Sequence, residues 1–178
     1  MQPLSDLSKR MPTPTPAPST MAELEPAERF LVSAFRRWVL GLRDNRGALM
    51  SLVWDDFEGR FGARDGKAAM AAFAGIIRGL QCHARRRIAH HQPCCPCLGG
   101  DETGIVCFVA ACQNGQPLLA RGLAEGMVRD EGVGELLGAA ARMARLMKKY
   151  GLELPLRVQR KGLDDDREWA NRASTTVH

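Results

Sequence analysis

The sequence predicts an all-α protein: an irregular or orthogonal bundle of about six helices with disordered N- and C-terminal tails. Three observations lead there. Apolar residues recur at three- and four-residue spacing through most of residues 25–157. Aromatic residues make up only 6% of the chain while Ala, Gly and Leu are plentiful, which suits closely packed helices better than a sheet rich in Val, Ile and Tyr. Short turn signals such as Asn114-Gly115 and Asp130-Glu131-Gly132 separate the periodic segments.

Taken in order, residues 1–24 read as a tail. The run from Pro12 to Thr20 alternates Pro with Thr, Ala and Ser, cannot form a helix and has almost nothing apolar to bury. Met21 offers an alternative start. A single helical domain spans 25–157, and the charged segment 158–178 is expected to be disordered. Within the domain, Pro26 opens a first helix that carries Phe30, Ala34, Trp38 and Leu42 at four-residue spacing. Asp44 and Asn45 suit the cap of a second helix, running through Leu49, Leu52, Val53, Phe57 and Phe61 until Gly62 stops it. Asp65 would cap a third, with Met70, Phe73, Ile76, Ile77 and Leu80 on its apolar face. It continues to about Gln92, where Pro93 disfavours further helix. Asp101 would cap a fourth helix, Pro117 would start a fifth and Val133 a sixth, with Gly151 ending the last. The segment 152–156 would fold back on the bundle.

The chemistry is concentrated between them. Within residues 82–97 lie four of the six cysteines and three of the four histidines. Cys94 and Cys97 form a C-x-x-C pair, a spacing that lets one tight turn aim two sulfurs at a single ion. With the third helix continuing to His90, the residues His83, Arg87, His90 and His91 would share a face. A tetrahedral zinc site could then draw on Cys94 and Cys97, on His90 or His91, and on one of Cys82, His83 or Cys95. Zinc is accordingly the expected cofactor, in a structural or regulatory role.

A second reading is a thiol-based redox sensor or enzyme using Cys94 and Cys97. The run Cys94-Cys95-Pro96-Cys97 has the proline of a redox motif, although no strand precedes it and no helix starts on its first cysteine. Arg85, Arg86 and Arg87 could lower a nearby thiol pKa and could also hold an anion or a partner. An iron–sulfur cluster has no matching spacing. Cys112 falls on an apolar helix face and is expected in the core, whereas Cys107 points elsewhere and could approach the cluster.

Net charge is +5, with Arg outnumbering Lys 20 to 5. A protein partner or an anionic ligand on the basic helical faces fits that balance, including a second basic group at Arg142, Arg145, Lys148 and Lys149. An interaction or nucleic-acid-binding module using these basic faces is a further alternative, with nucleic acid the weaker form of it: the charge is modest, no aromatic residues interleave the basic ones, and no helix-turn-helix pattern is clear. No segment reaches the ~18 consecutive apolar residues that a membrane span requires. With no secretory signal, a cytoplasmic chain with reduced cysteines is expected. No phosphate loop and no Ser-His-Asp set can be assembled, and Asp55, Asp56 and Glu58 read as solvated surface, so a binding role is expected over an enzymatic one.

Overall fold

The computed structural model describes residues 18–157; the expected tails at 1–17 and 158–178 lie outside the described residues. A short 3-10 turn, Met21–Glu23, precedes five α-helices: α1 (Pro26–Arg43), α2 (Gly47–His83), α3 (Gly100–Gln113), α4 (Pro117–Met127) and α5 (Asp130–Lys149). Among the described residues there is no strand, only two isolated backbone bridges. No helix among them is long and apolar enough to cross a membrane.

The count is five rather than about six because the segments expected as second and third helices form one element. Gly62 sits between them at φ 71°, ψ 168°, a non-helical conformation that favours glycine, so α2 consists of two helical runs joined across a kink, with the first run stopping at Gly62 as expected. Asp65 is therefore not a cap; its carboxylate accepts hydrogen bonds from Lys149 and the Tyr150 hydroxyl. Pro26 and Pro117 occupy the first turns of α1 and α4, where a missing N–H costs nothing. Gly151, at φ 70°, closes α5. At its other end α5 begins at Asp130, taking in residues that read as a turn.

α2 and α5 share the most extensive interface. One core runs through the molecule, with Phe30, Phe57, Phe61 and Phe73 stacked at tilted or edge-on angles 5.0–5.8 Å apart. α2 and α5 approach closely through glycine: Gly79 lies against Leu136, Gly75 against Ala139, and Gly132 against His83. After α5, the chain folds back on α3 as expected. Gln113 holds both the Leu154 N–H and the Leu152 carbonyl. Arg157 then makes a two-pronged pair with the buried Glu28 carboxylate, at 2.6 and 2.7 Å, and donates to the Glu23 carbonyl.

The described part of the expected N-terminal tail is also built in. Pro18 and Leu24 are buried, and Thr20 pairs with Cys97. A periodicity argument misses this contact because the segment has no helical pattern to read.

A methyl group on Gly132 would lie 2.6 Å from the His83 Cγ. Gly132→Ala is therefore expected to destabilise the protein by about 1–3 kcal/mol through overpacking. Urea unfolding at unchanged m-value should show the lower midpoint, and an unmoved midpoint would mean that α2 and α5 are less tightly apposed here.

Candidate functional site: a thiol loop clamped by a buried ion pair

The expected third helix ends nine residues early, at His83 rather than Gln92. Backbone pairing takes over there. Ala84 bridges Val128, the Arg85 N–H donates to the Met127 carbonyl, and the Arg129 N–H donates to the His83 carbonyl. Residues 84–99 are then a loop, and the helical face that would have aligned His83, Arg87, His90 and His91 does not exist.

The loop is shaped by a charge buried at its centre. Arg36 of α1 and Glu102 of α3 are both buried. Arg36 Nε donates to Glu102 Oε1 at 2.7 Å and Nη2 to Oε2 at 2.8 Å. The remaining guanidinium hydrogens reach loop carbonyls: Nη1 to Cys95 at 2.6 Å and Gln92 at 3.3 Å, Nη2 to Cys97 at 2.5 Å. All five donors of the planar fork are thus engaged. Glu102 is equally saturated, accepting in addition from the His91 N–H at 2.9 Å, the Gly99 N–H at 3.0 Å and the His91 ring at 3.2 Å. Burial pushes the Glu102 carboxyl up, but Arg36 and the Gly99 and His91 amides outweigh it and hold the carboxyl below its ordinary value.

The neighbouring carboxylate does similar work. Asp101, expected to be the helix cap, lies inside the first turn of α3, whose cap is Gly99. Its side chain turns back to accept the Ala89 N–H and a two-pronged bond from Arg86, at 2.6 and 2.8 Å. From the other side, residues 19–21 lie along residues 96–98. The Met21 N–H donates to the Pro96 carbonyl at 2.7 Å and the Leu98 N–H to the Ser19 carbonyl at 3.0 Å.

The candidate residues end in three places. Cys82 and His83 stand at the end of α2 against α5, with His83 Nε2 3.9 Å from Glu135. His90 packs its ring edge-on to Phe35, and His91 is held by Glu102. Cys94 and Cys97 are exposed and Cys95 is half-buried; the Cys95 N–H to Gln92 carbonyl bond closes a turn at residues 92–95, and Cys97 follows it, paired with Thr20. The Cys97 thiol meets Cys95, whose hydrogen bond and charge push the Cys97 pKa up, with Arg36 opposing weakly.

Among the described residues no group of three or more His, Cys, Asp or Glu side chains is arranged to hold a metal ion. The His91 ring is turned into the Arg36–Glu102 network, His83 stands beside Glu135 of α5, and Cys82 is exposed at the end of α2.

Two further expectations change. Of the basic run, Arg85 is bound to Asp130 and the Glu125 carbonyl, and Arg86 to Asp101, while Arg87 is exposed. Cys107, expected to point elsewhere, is buried, while Cys112 packs half-buried against the core as expected. Burial raises both to about 11, and the nearby Glu28 adds to the rise at Cys107. Arg36 and Glu102, which build the centre of the site, carry no signal of it in the sequence. Neither stands in a motif, and only their spacing across the fold makes them partners.

Compared with known proteins, the chain matches no family model, no curated protein and no solved structure.

Removing one member of the clamp strands the other charge in the interior. Arg36→Met and Glu102→Gln should each destabilise by about 3–5 kcal/mol, measured by denaturant unfolding. Because the folded pKa of Glu102 is depressed, its contribution is complete above its ordinary value of 4.5 and lost as pH falls through the lower folded value. Acid titration of the Glu102→Gln variant should therefore lack part of the stability loss seen below that pH in the parent.

Proposed function

We propose that residues 90–99 form a thiol-exchange loop in which Cys95 and Cys97 are the reacting pair, and that the protein acts as a thiol-based sensor or carrier. The observation that carries this reading is Arg36. A fully buried guanidinium donates to the carbonyls of both Cys95 and Cys97, and so fixes the backbone that carries two neighbouring thiols. Burying a charge is costly unless it is paired and saturated with hydrogen bonds. Here that cost goes into the backbone of a loop with little apolar content, which is an arrangement for presenting side chains rather than for filling a core.

The chemistry follows thiol–disulfide exchange. Cys95, as thiolate, attacks one sulfur of a partner disulfide and releases the other as a thiolate, which takes up a proton. Cys97 then loses its proton and attacks Cys95 in the mixed disulfide. The second partner thiol leaves, and a Cys95–Cys97 disulfide remains. The partner is reduced by two electrons and the loop is oxidised by two. Cys97 suits the second role, since its hydrogen bond to Cys95 keeps it protonated. Cys94 is exposed beside the pair and available to a bulky partner. The reading places the chain where thiols are ordinarily kept reduced, as in the cytoplasm.

Zinc, expected from the sequence, is the competing occupant of the same loop, and one experiment separates them. Reduced protein is treated with oxidised glutathione, then alkylated and mapped by mass spectrometry, with zinc content measured on a parallel sample. The expected result is a Cys95–Cys97 linkage that dithiothreitol reverses. Cys97→Ser should stop at a glutathione adduct on Cys95, and Cys107 and Cys112 should alkylate last because their thiols stay protonated. One equivalent of zinc that protects the loop thiols until a chelator is added would overturn the exchange reading in favour of a metal site.

A further inference from the structure

A different face of the molecule carries a second feature. Residues 66–100 contain no Asp or Glu, and neither do residues 136–152. Separated in sequence, the first parts of these stretches are brought side by side by the α2–α5 interface. The seam runs antiparallel, with His83 against Gly132, Gly79 against Leu136, Gly75 against Ala139, and Asp65 against Lys149. Glycine and alanine keep it shallow, and the cations stand along it. Arg142 reaches across the seam to Gly75, with Nη2 3.8 Å from where a Cβ would be. Arg145 and Lys149 follow at three and seven residues, on the same helical face.

Two carboxylates on this strip are already paired: Glu135 with Arg78, and Asp65 with Lys149 and Tyr150. Arg64, Arg142 and Arg145 are exposed and have no carboxylate partner among the described residues.

At one end the strip opens into a cleft of about 510 Å³ where α2 breaks. Its walls include Phe61, Arg64, Lys149 and Tyr150. Tyr150 is 40% exposed and braced edge-on by Phe61 at 5.3 Å. Gly62 leaves the floor open, since a Cβ there would meet nothing within 4 Å. A held aromatic ring beside a line of guanidinium groups is the combination that the sequence lacked, because Phe61 and Tyr150 are far apart along the chain.

We infer that the α2–α5 seam binds single-stranded nucleic acid, its phosphates along Arg142, Arg145 and Arg64 and one base stacked on Tyr150 in the cleft. The physical warrant is twofold. Planar guanidinium forks match phosphate oxygens, and base stacking on an aromatic side chain beside a basic track is how single strands are held without sequence readout. The helix rise puts Arg142 and Lys149 about 10 Å apart, a reach of one to two backbone phosphates. A duplex offers the same charge but no free base face, and an anionic membrane offers charge alone, so the aromatic cleft favours the single strand.

The test is fluorescence anisotropy of labelled oligothymidylate with the full chain under reducing conditions, between about 50 and about 200 mM salt. Binding should weaken with salt. Arg142→Glu with Arg145→Glu should weaken it further and flatten the slope of log affinity against log salt by about 1.4, the value for two lost phosphate contacts on a single strand. Tyr150→Ala should weaken it about 5- to 150-fold, whereas Tyr150→Phe, which keeps the ring and loses the bond to Asp65, should bind like the parent. Circular dichroism on each variant separates lost binding from lost folding. No binding by the parent, equal or tighter binding to duplex of the same length, binding only to phosphatidylserine vesicles, or indifference to Tyr150→Ala would each overturn the inference.

Discussion

One buried guanidinium holds the cysteine-bearing loop of this molecule in shape. Arg36 belongs to α1, Glu102 to α3, and the loop between α2 and α3 is threaded across the pair so that three of its carbonyls complete the guanidinium's hydrogen bonds. The constraint works both ways. An isolated charge would not stay in the interior, so the loop must be present for Arg36 to be buried. The loop has two prolines and little that is apolar, so its conformation depends on Arg36 together with Asp101 and the pairing with residues 19–21. The same pair draws in the His91 ring and the first turn of α3, and the segment 19–21 closes over residues 96–98. The cysteines are thus displayed by the backbone around them, and their side chains carry little of the packing.

Glu28 with Arg157 is a second instance of the same device. It is buried on the neighbouring part of α1 and ties the chain after α5 to the turn at Met21–Glu23. Both ends of the described chain are therefore fastened to α1 by charge, while the helices themselves are fastened to one another by phenylalanine, leucine and close glycine contacts. Such pairs give geometric specificity more reliably than net stability, which fits their placement at loops rather than in the middle of the helical interfaces.

Carboxylates also sort the cations. Near the thiol loop Arg85 and Arg86 are tied to Asp130 and Asp101, so the basic run that stands out in the sequence is largely neutralised in the fold. Along the α2–α5 seam Glu135 and Asp65 are already paired, and the less conspicuous Arg142 and Arg145 keep their charge exposed. Density of charge in a sequence window is a poor guide to where a field persists, because the neutralising partner can come from any element.

Helical class, the prolines that open α1 and α4, the break at Gly62 and the end of α5 at Gly151 could be read in advance, because each depends on residues within a few positions of one another. So could the concentration of cysteine and histidine at residues 82–97. Local patterns failed at the end of α2: the apolar spacing and the basic run continue past His83 without a breaker until Pro93, but Ala84 and Arg85 gain backbone partners in the segment at 127–129. That loss of helix removes the shared face expected for His83, His90 and His91, and within the loop the Cys97 thiol meets Cys95. The pairing of Arg36 with Glu102 spans 66 positions, and the cleft at Tyr150 joins residues as far apart. What the sequence by itself determined is where helices can form and where the reactive side chains lie along the chain, since propensity and periodicity are local. Which charges are buried, which thiols touch and which aromatic ring stands beside which arginines were decided only by tertiary structure, because each requires two distant segments to lose water against each other.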